Sequence, residues 1–153
     1  MPSSVRRTLR LQDYLPYRLS VAANAVSRLI ARAYEARFGL KIAQWRLIAV
    51  FADQGPLTQQ SLCGRTLMDK VRVMRAAQGL VRRGLVWRLP NHSDRRSHRL
   101  ALTRSGERIH RAIVPLALEH EARLLRGLDP QDIARLERLL RQLEQTAAAC
   151  APR

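Results

Sequence analysis

Arg72 and Arg75, with Val71 and Met74 beside them, are spaced to lie together on the outer side of one helix. A guanidinium group can bond guanine O6 and N7 in parallel, and Val71 or Met74 can touch a thymine methyl. The same arginines can instead bond only phosphates, which gives affinity without sequence information. Further along, Asp94-Arg95-Arg96 forms a second cationic element in a polar stretch. A helix that fits the major groove beside an arginine-tipped ribbon is a means of reading double-stranded DNA.

The elements that must position these groups are legible around them. Thr58 is placed to N-cap a short helix running to about Arg65, and Asp69 to cap a second from Lys70 to Arg83. Val73, Ala76, Ala77 and Leu80 recur at helical spacing and are expected to face the core. Lys70, Val71, Arg72, Met74, Arg75 and Gln78 fall on the other side. Gly84 suits a left-handed helix end. Val86–Leu89 and His98–Leu102 are short enough for strands, and Pro90–Ser97 is their connecting loop. The order is helix, turn, helix, wing.

Long helices flank this module. From Leu11 to Phe38, Leu19, Ala22, Val26, Leu29/Ile30 and Ala33 form an apolar seam, and Gly39 is a plausible stop. A helix from Ile42 to Ala52 follows, broken by Gly55-Pro56. Another spans Arg104 to Arg126, where Pro115 is expected to kink or divide it. Gly127 ends it, and Asp129-Pro130 restarts a helix to Ala148 carrying Ile133, Leu136, Leu140, Leu143 and Ala147. The resulting fold is mainly α: a winged helix-turn-helix with a small β-hairpin wing, flanked by long N- and C-terminal helices that form a dimerisation region. Its divisions are a basic arm at 1–10, an N-terminal dimerisation helix at 11–40, a DNA-binding lobe at 41–103, C-terminal dimerisation helices at 104–148 and a tail at 149–153. The terminal stripes are more apolar surface than the small central module can bury, so a two-fold dimer is expected, presenting two recognition helices to a palindromic site.

Bulk composition agrees. The 153 residues carry 28 Lys+Arg against 12 Asp+Glu, a formal net charge of +16, which favours a polyanionic partner. At 46% hydrophobic residues a core can form. No apolar run approaches the roughly 18–20 residues of a membrane span, and Arg6, Arg7 and Arg10 precede no signal-like stretch, so a soluble cytoplasmic protein with no membrane partner is expected. The histidines (His92, His98, His110, His120) are scattered, with no zinc-finger or HExxH spacing. Nothing pairs a nucleophile with a base or forms a phosphate loop. Neither an enzyme, a cofactor nor a metal is indicated.

In sum, the segment from Leu57 to Gly106 resembles the MarR family of bacterial and archaeal transcription regulators. The resemblance rests on Leu57-Thr58 with Leu62 at the first short helix, Asp69-Lys70 opening the recognition helix, Leu80 followed by Gly84-Leu85-Val86, Asp94-Arg95-Arg96 in the wing, and Leu102-Thr103 with Gly106 closing it. With the flanking helices it covers about residues 11–148. It implies a homodimeric regulator, most often a repressor, on a short inverted repeat, and in many members release by small aromatic or phenolic anions. It also implies that Arg96 enters the minor groove, that Asp94 orients it and that Arg95 meets a phosphate. The DNA-binding set is then Thr58, Gln59, Lys70, Val71, Arg72, Met74, Arg75, Asp94, Arg95 and Arg96. Tyr14, Tyr17, Arg18 and Trp45 are candidates for an effector pocket between the dimerisation helices and the DNA-binding lobe; alternatively Trp45 is core and Tyr17 and Arg18 are interface.

The chain departs from the family pattern at Val71, Arg72 and Met74, where Ser and Thr are usual, and at Gly79, where a larger residue is common. Cys63 stands where alanine is usual and reads as a small core hydrophobe. Cys150 lies near a chain end and carries no expected role. The charge of +16 also suits a second function class, a non-specific architectural DNA-binding protein.

Overall fold

The computed structural model describes residues 9–150. After a short 3-10 turn (Leu11–Asp13) come α1 (Leu15–Phe38), α2 (Ile42–Gln54), β1 (Leu57–Thr58), α3 (Gln59–Thr66), α4 (Lys70–Arg82), β2 (Val86–Pro90), β3 (His98–Leu102), α5 (Arg104–Leu124) and α6 (Pro130–Cys150). This is the winged helix arrangement that the sequence pattern predicts. The basic arm assigned to the first residues lies, apart from Leu9 and Arg10, outside the described residues, as does the tail beyond Cys150.

Local chemistry sets the boundaries. Pro16 sits in the first turn of α1, where a missing N–H costs nothing. Gly39, at φ +62°, ends that helix and donates its N–H to Glu35 O at 2.9 Å. Thr58 Oγ1 accepts from Ser61 N at 3.2 Å to start α3, and Asp69 Oδ1 accepts from Arg72 N at 2.8 Å to start α4. Gly84, at φ +66°, lets Leu85 N return to Leu80 O at 3.0 Å and closes α4. Thr103 Oγ1 donates to Gly84 O at 2.6 Å and accepts from Gly106 N at 3.1 Å, so one hydroxyl joins the end of α4 to the start of α5.

The wing is a three-stranded antiparallel sheet in the order β1-β3-β2, rather than a hairpin alone. Leu57 pairs with Leu100, and Trp87 with Ala101. Period-2 reading cannot register a strand as short as β1; the pairing edge of β3 defines it.

Two compact units divide between Val114 and Pro115. In the first, Leu40, Leu47, Ile48, Leu62, Val73, Leu80 and Ile113 are fully buried. Each contributes about 1.5–3 kcal/mol by leaving water. They hold α2, α3 and α4 around one core, and Val86 and Leu100 bring in the sheet. At Gly79 a β-carbon would stand 2.5 Å from Gln44 Nε2. The glycine thus makes room for a side chain whose Oε1 accepts from Lys41 N at 3.0 Å at the start of α2.

Pro115 does not divide α5, which runs unbroken from Arg104 to Leu124. In the second unit, Asp129 Oδ1 accepts from Gln131 N at 2.7 Å beside Pro130, the first residue of α6. No residue of α6 is buried, and Leu136, Leu139, Leu140 and Leu143 all stand exposed along it. Leu15, Tyr17, Leu19 and Val21 are exposed on α1 in the same way. No helix is long and apolar enough to cross a membrane among the described residues.

Candidate nucleic-acid interface

α4 presents the two faces that its periodicity demands. Val73, Ala76, Ala77 and Leu80 are buried, whereas Lys70, Val71, Arg72, Met74 and Arg75 are exposed. Asp69 fixes the helix start, so these side chains leave a rigid rod with its positive dipole end forward.

Two open grooves flank the exposed ridge, and Gln78 lines both. The groove on the wing side, ≈ 600 Å³, collects the cap residue Thr58 with Gln59, Lys70 and Met74 of the helices and Arg88, Asp94 and Arg96 of the wing. The other, ≈ 820 Å³, holds Val71, Arg72, Arg75 and Arg82 of α4 opposite Gln44 of α2 and Lys41 at its N-cap, with Asp69 its one acid. Of the residues expected to bind DNA, all but Arg95 therefore border these two grooves; Arg95 is exposed in the wing loop.

Among the described residues, the only ion pairs are Arg10–Asp13 and Arg141–Glu137, and none of these four residues lines either groove. The groove arginines thus have no carboxylate to neutralise them. Not every arginine of the lobe is free. Arg83 donates to Phe38 O at 2.7 Å and Gly39 O at 2.8 Å, and Arg99 Nη2 donates to Pro56 O at 2.7 Å. Those two hold backbone, while Arg72, Arg75, Arg88 and Arg96 face the grooves.

In the wing loop, Asp94 Oδ1 accepts from the Arg96 backbone N–H at 2.9 Å, and Asp94 O accepts from Ser97 N at 3.1 Å. Asn91 Nδ2 donates to Ser97 Oγ at 2.7 Å. Asp94 thus acts on Arg96 through the turn's backbone, not by pairing with its guanidinium.

Lys41, Arg82 and Arg88 were missed from the sequence. Arg88 had a signal, since it lies one step from Trp87 on β2 and so on the opposite face of the sheet. Lys41 had none, because only the packing of α2 on α4 brings it near Arg72.

The candidate effector residues are not gathered by this chain. Tyr14 and Tyr17 are 43% and 40% exposed at the start of α1, and Arg18 is exposed beside them. Trp45 sits edge-on to Tyr34 at 5.4 Å and stacks on His110 at 5.9 Å. Tyr34 follows Tyr17 by nearly five helical turns, about 25 Å along α1 at 1.5 Å per residue. Within one chain, Trp45 is accordingly a packing residue of the aromatic cluster. Burial raises the Tyr34 phenol above its ordinary pKa. Cys63 is half-buried and Cys150 exposed. No cluster of three His, Cys, Asp or Glu side chains suited to a metal ion occurs among the described residues.

The MarR family model matches residues 38–97, the span from the end of α1 through the wing loop. An uncharacterized protein of Mycobacterium tuberculosis is 29% identical over 134 residues, 79% of this chain and 93% of that one. Among solved structures, a probable transcriptional regulator from Pseudomonas aeruginosa is 28% identical at a TM-score of 0.81, covering 88% of this chain and 99% of its own. A mutant MarR from E. coli, complexed with operator DNA, is 25% identical at a TM-score of 0.78, covering 84% of this chain and 92% of its own. The capped recognition helix, the wing and the match to the MarR family model all fall on one segment, so residues 38–97 are similar to the MarR family, whose members are transcription regulators and not enzymes, and the fold is that of its solved members.

Proposed function

We propose that the protein binds an inverted-repeat operator as a homodimer and regulates transcription from it as a repressor. The observation that carries this reading is the pair of grooves along α4, bordered by Lys41, Lys70, Arg72, Arg75, Arg82, Arg88 and Arg96, with Asp69 and Asp94 their acids. Both carboxylates are engaged with backbone N–H groups. In this reading the ridge of α4 enters the major groove, Arg72 or Arg75 reads guanine, and Arg96 on the wing enters the adjacent minor groove. Thr58 and Gln59 stand at the rim of the wing-side groove, and Arg95 meets a phosphate. The E. coli relative complexed with operator DNA supports the same use of this fold.

Dimerisation is supported by the exposed apolar stripes of α1 and α6, which one chain leaves uncovered. A small aromatic or phenolic anion is proposed as the releasing ligand, acting through its different affinity for the free and DNA-bound geometries. BpsR from Bordetella bronchiseptica, a structural match at 21% identity, is regulated in its DNA binding by 6-hydroxynicotinic acid. Tyr14, Tyr17 and Arg18 join such a site only if assembly brings a second chain's residues to them.

The test is binding of the full chain to its own upstream intergenic DNA and to a scrambled duplex at about 150 mM salt, with footprinting. A protected inverted repeat with half-sites about 10 bp apart, bound far more tightly than the scramble, is expected. Equal affinity for both duplexes would overturn the reading in favour of a non-specific architectural protein, which the charge of +16 also suits.

A further inference from the structure

Leu67, in the turn between α3 and α4, has φ +54° and ψ 26° and is 86% exposed. Among the described residues it is the one amino acid other than glycine with a positive φ. A β-carbon in this left-handed region crowds the neighbouring carbonyl, a cost that glycine escapes. Glycine here would end α3 equally well. The leucine gains almost no packing in exchange, since its side chain is the most exposed large apolar group of the lobe. Strain at a site with no internal compensation directs attention outward.

Its setting says to what. Met68, the next residue, is buried, and Asp69 caps α4, so the turn is pinned on its recognition-helix side. The exposed neighbours along the chain include Arg65, Lys70 and Arg72. A lone exposed leucine in a stretch with three cations and one acid, Asp69, which is engaged in capping α4, suits a polyanion better than an apolar protein face. The stripes on α1 and α6, by contrast, are continuous enough to cover a helix. Val71 and Met74, 50% and 37% exposed, extend the apolar element along α4. The apolar groups that a DNA groove offers are thymine methyls and deoxyribose carbons.

We infer that Leu67 is an apolar DNA contact at the entry of the recognition helix, held in a strained turn for that purpose. The inference rests on the DNA-binding reading above.

The experiment uses the full chain, its Leu67→Gly and Leu67→Asn variants and an Arg75→Ala control. The probe is a set of duplexes selected by the wild-type protein from a random-sequence pool. Both Leu67 variants are expected to melt at or above the wild-type temperature, because glycine and asparagine tolerate the turn. Their affinity is expected to fall about fivefold, the scale of losing one or two buried methyl groups. Their salt dependence should be unchanged, since no charge is removed. Replacing thymine by uracil in the duplex reproduces the loss in the wild type if the methyl is the partner. No response to uracil assigns the contact to the sugar; either result supports the inference once the Leu67 variants have lost affinity. Wild-type affinity in both Leu67 variants overturns it, as does a change confined to dimer dissociation. If Arg75→Ala weakens binding while the Leu67 variants do not, only the leucine contact falls. If the wild type enriches no duplex, the DNA reading falls and the leucine contact with it.

Discussion

Arg83 joins the end of the recognition helix to the end of α1: its guanidinium donates to Gly39 O at 2.8 Å and to Phe38 O at 2.7 Å. Both carbonyls lie at a helix C-terminus, where the backbone leaves acceptors unpaired and the dipole is negative. A planar fork can serve two carbonyls at once. Arg83→Ala is expected to lower stability by about 1 kcal/mol, below the usual range for charged hydrogen bonds because the group is exposed. Arg83→Lys should recover only part of this, since an ammonium is a point charge without the fork. Urea unfolding midpoints at constant slope measure both; an unchanged midpoint in the alanine variant would show the bonds to be incidental.

Gly106 is required by contact rather than by conformation. A β-carbon there would run into the carbonyl oxygen of Leu85, which already accepts from Thr103 N at 3.0 Å. The obstacle is backbone and cannot swing aside. Gly106→Ala is therefore expected to destabilise by about 2–3 kcal/mol, toward the upper range for overpacking. Thermal melting of the variant checks it, and a melting temperature equal to wild type would mean that α5 can shift along the sheet freely.

Tyr34 supplies a pH-dependent term. It is 2% exposed, and burial raises its pKa above the ordinary value of 10.0. The folded state therefore holds the phenolic proton more tightly than the unfolded chain. Stability from this group is complete below about pH 10 and declines as pH rises through the raised value. Tyr34→Phe should remove that part of the alkaline decline. Denaturation series at pH values on either side of 10 for both proteins give the difference; parallel curves would show that Tyr34 does not titrate differently on unfolding.

Much of this architecture was legible because single residues carry the boundary signals. Thr58 and Asp69 cap the helices that their types predict, and Gly39, Gly84 and Gly127 all take positive φ. The buried face of α4 followed from spacing alone. What stayed hidden depends on distant partners. The Gln44–Gly79 approach, the reach of Arg83 to Gly39 and the pairing of Leu57 with Leu100 join segments that carry no local sign of one another. Leu67 was invisible for the opposite reason: its leucine contradicts the backbone that it adopts. At the candidate site, the α4 residues were readable from the helix period, while Lys41 entered only through tertiary packing. The candidate effector residues stand apart within one chain, since Tyr14, Tyr17 and Arg18 lie at the start of α1 while Trp45 packs on Tyr34 near its other end.

Asp94 and Arg96 make a sharper test of the wing. Because Oδ1 accepts from the Arg96 backbone N–H, an amide oxygen can take its place. Asp94→Asn is expected to bind operator DNA no more weakly than wild type, and removal of a negative charge near phosphates can only help. Asp94→Ala should loosen the loop and weaken binding by about fivefold, the scale of one net hydrogen bond. Affinities at matched salt decide this. A large loss in the asparagine variant would mean that the carboxylate charge acts on the guanidinium in the complex.

The arginines of the two grooves are separable by salt. Each phosphate neutralised by a side chain releases counterions, so binding weakens with salt at a slope set by the number of such contacts. Arg96→Ala, if the guanidinium sits in the minor groove at low potential, should relax preference for A·T-rich flanks. Arg75→Ala, if the side chain reads guanine, should instead cost about 1–3 kcal/mol on the selected sequence and little on a scrambled one. Arg95→Ala, a phosphate contact only, should weaken both duplexes equally and reduce that slope by about 1. Titrations of the three variants over a range of salt on both duplexes distinguish these outcomes. Equal losses for all three on both duplexes would assign every arginine to the phosphates and leave specificity to Leu67 in the turn before α4 and to Val71 and Met74 on it, whose apolar side chains are exposed.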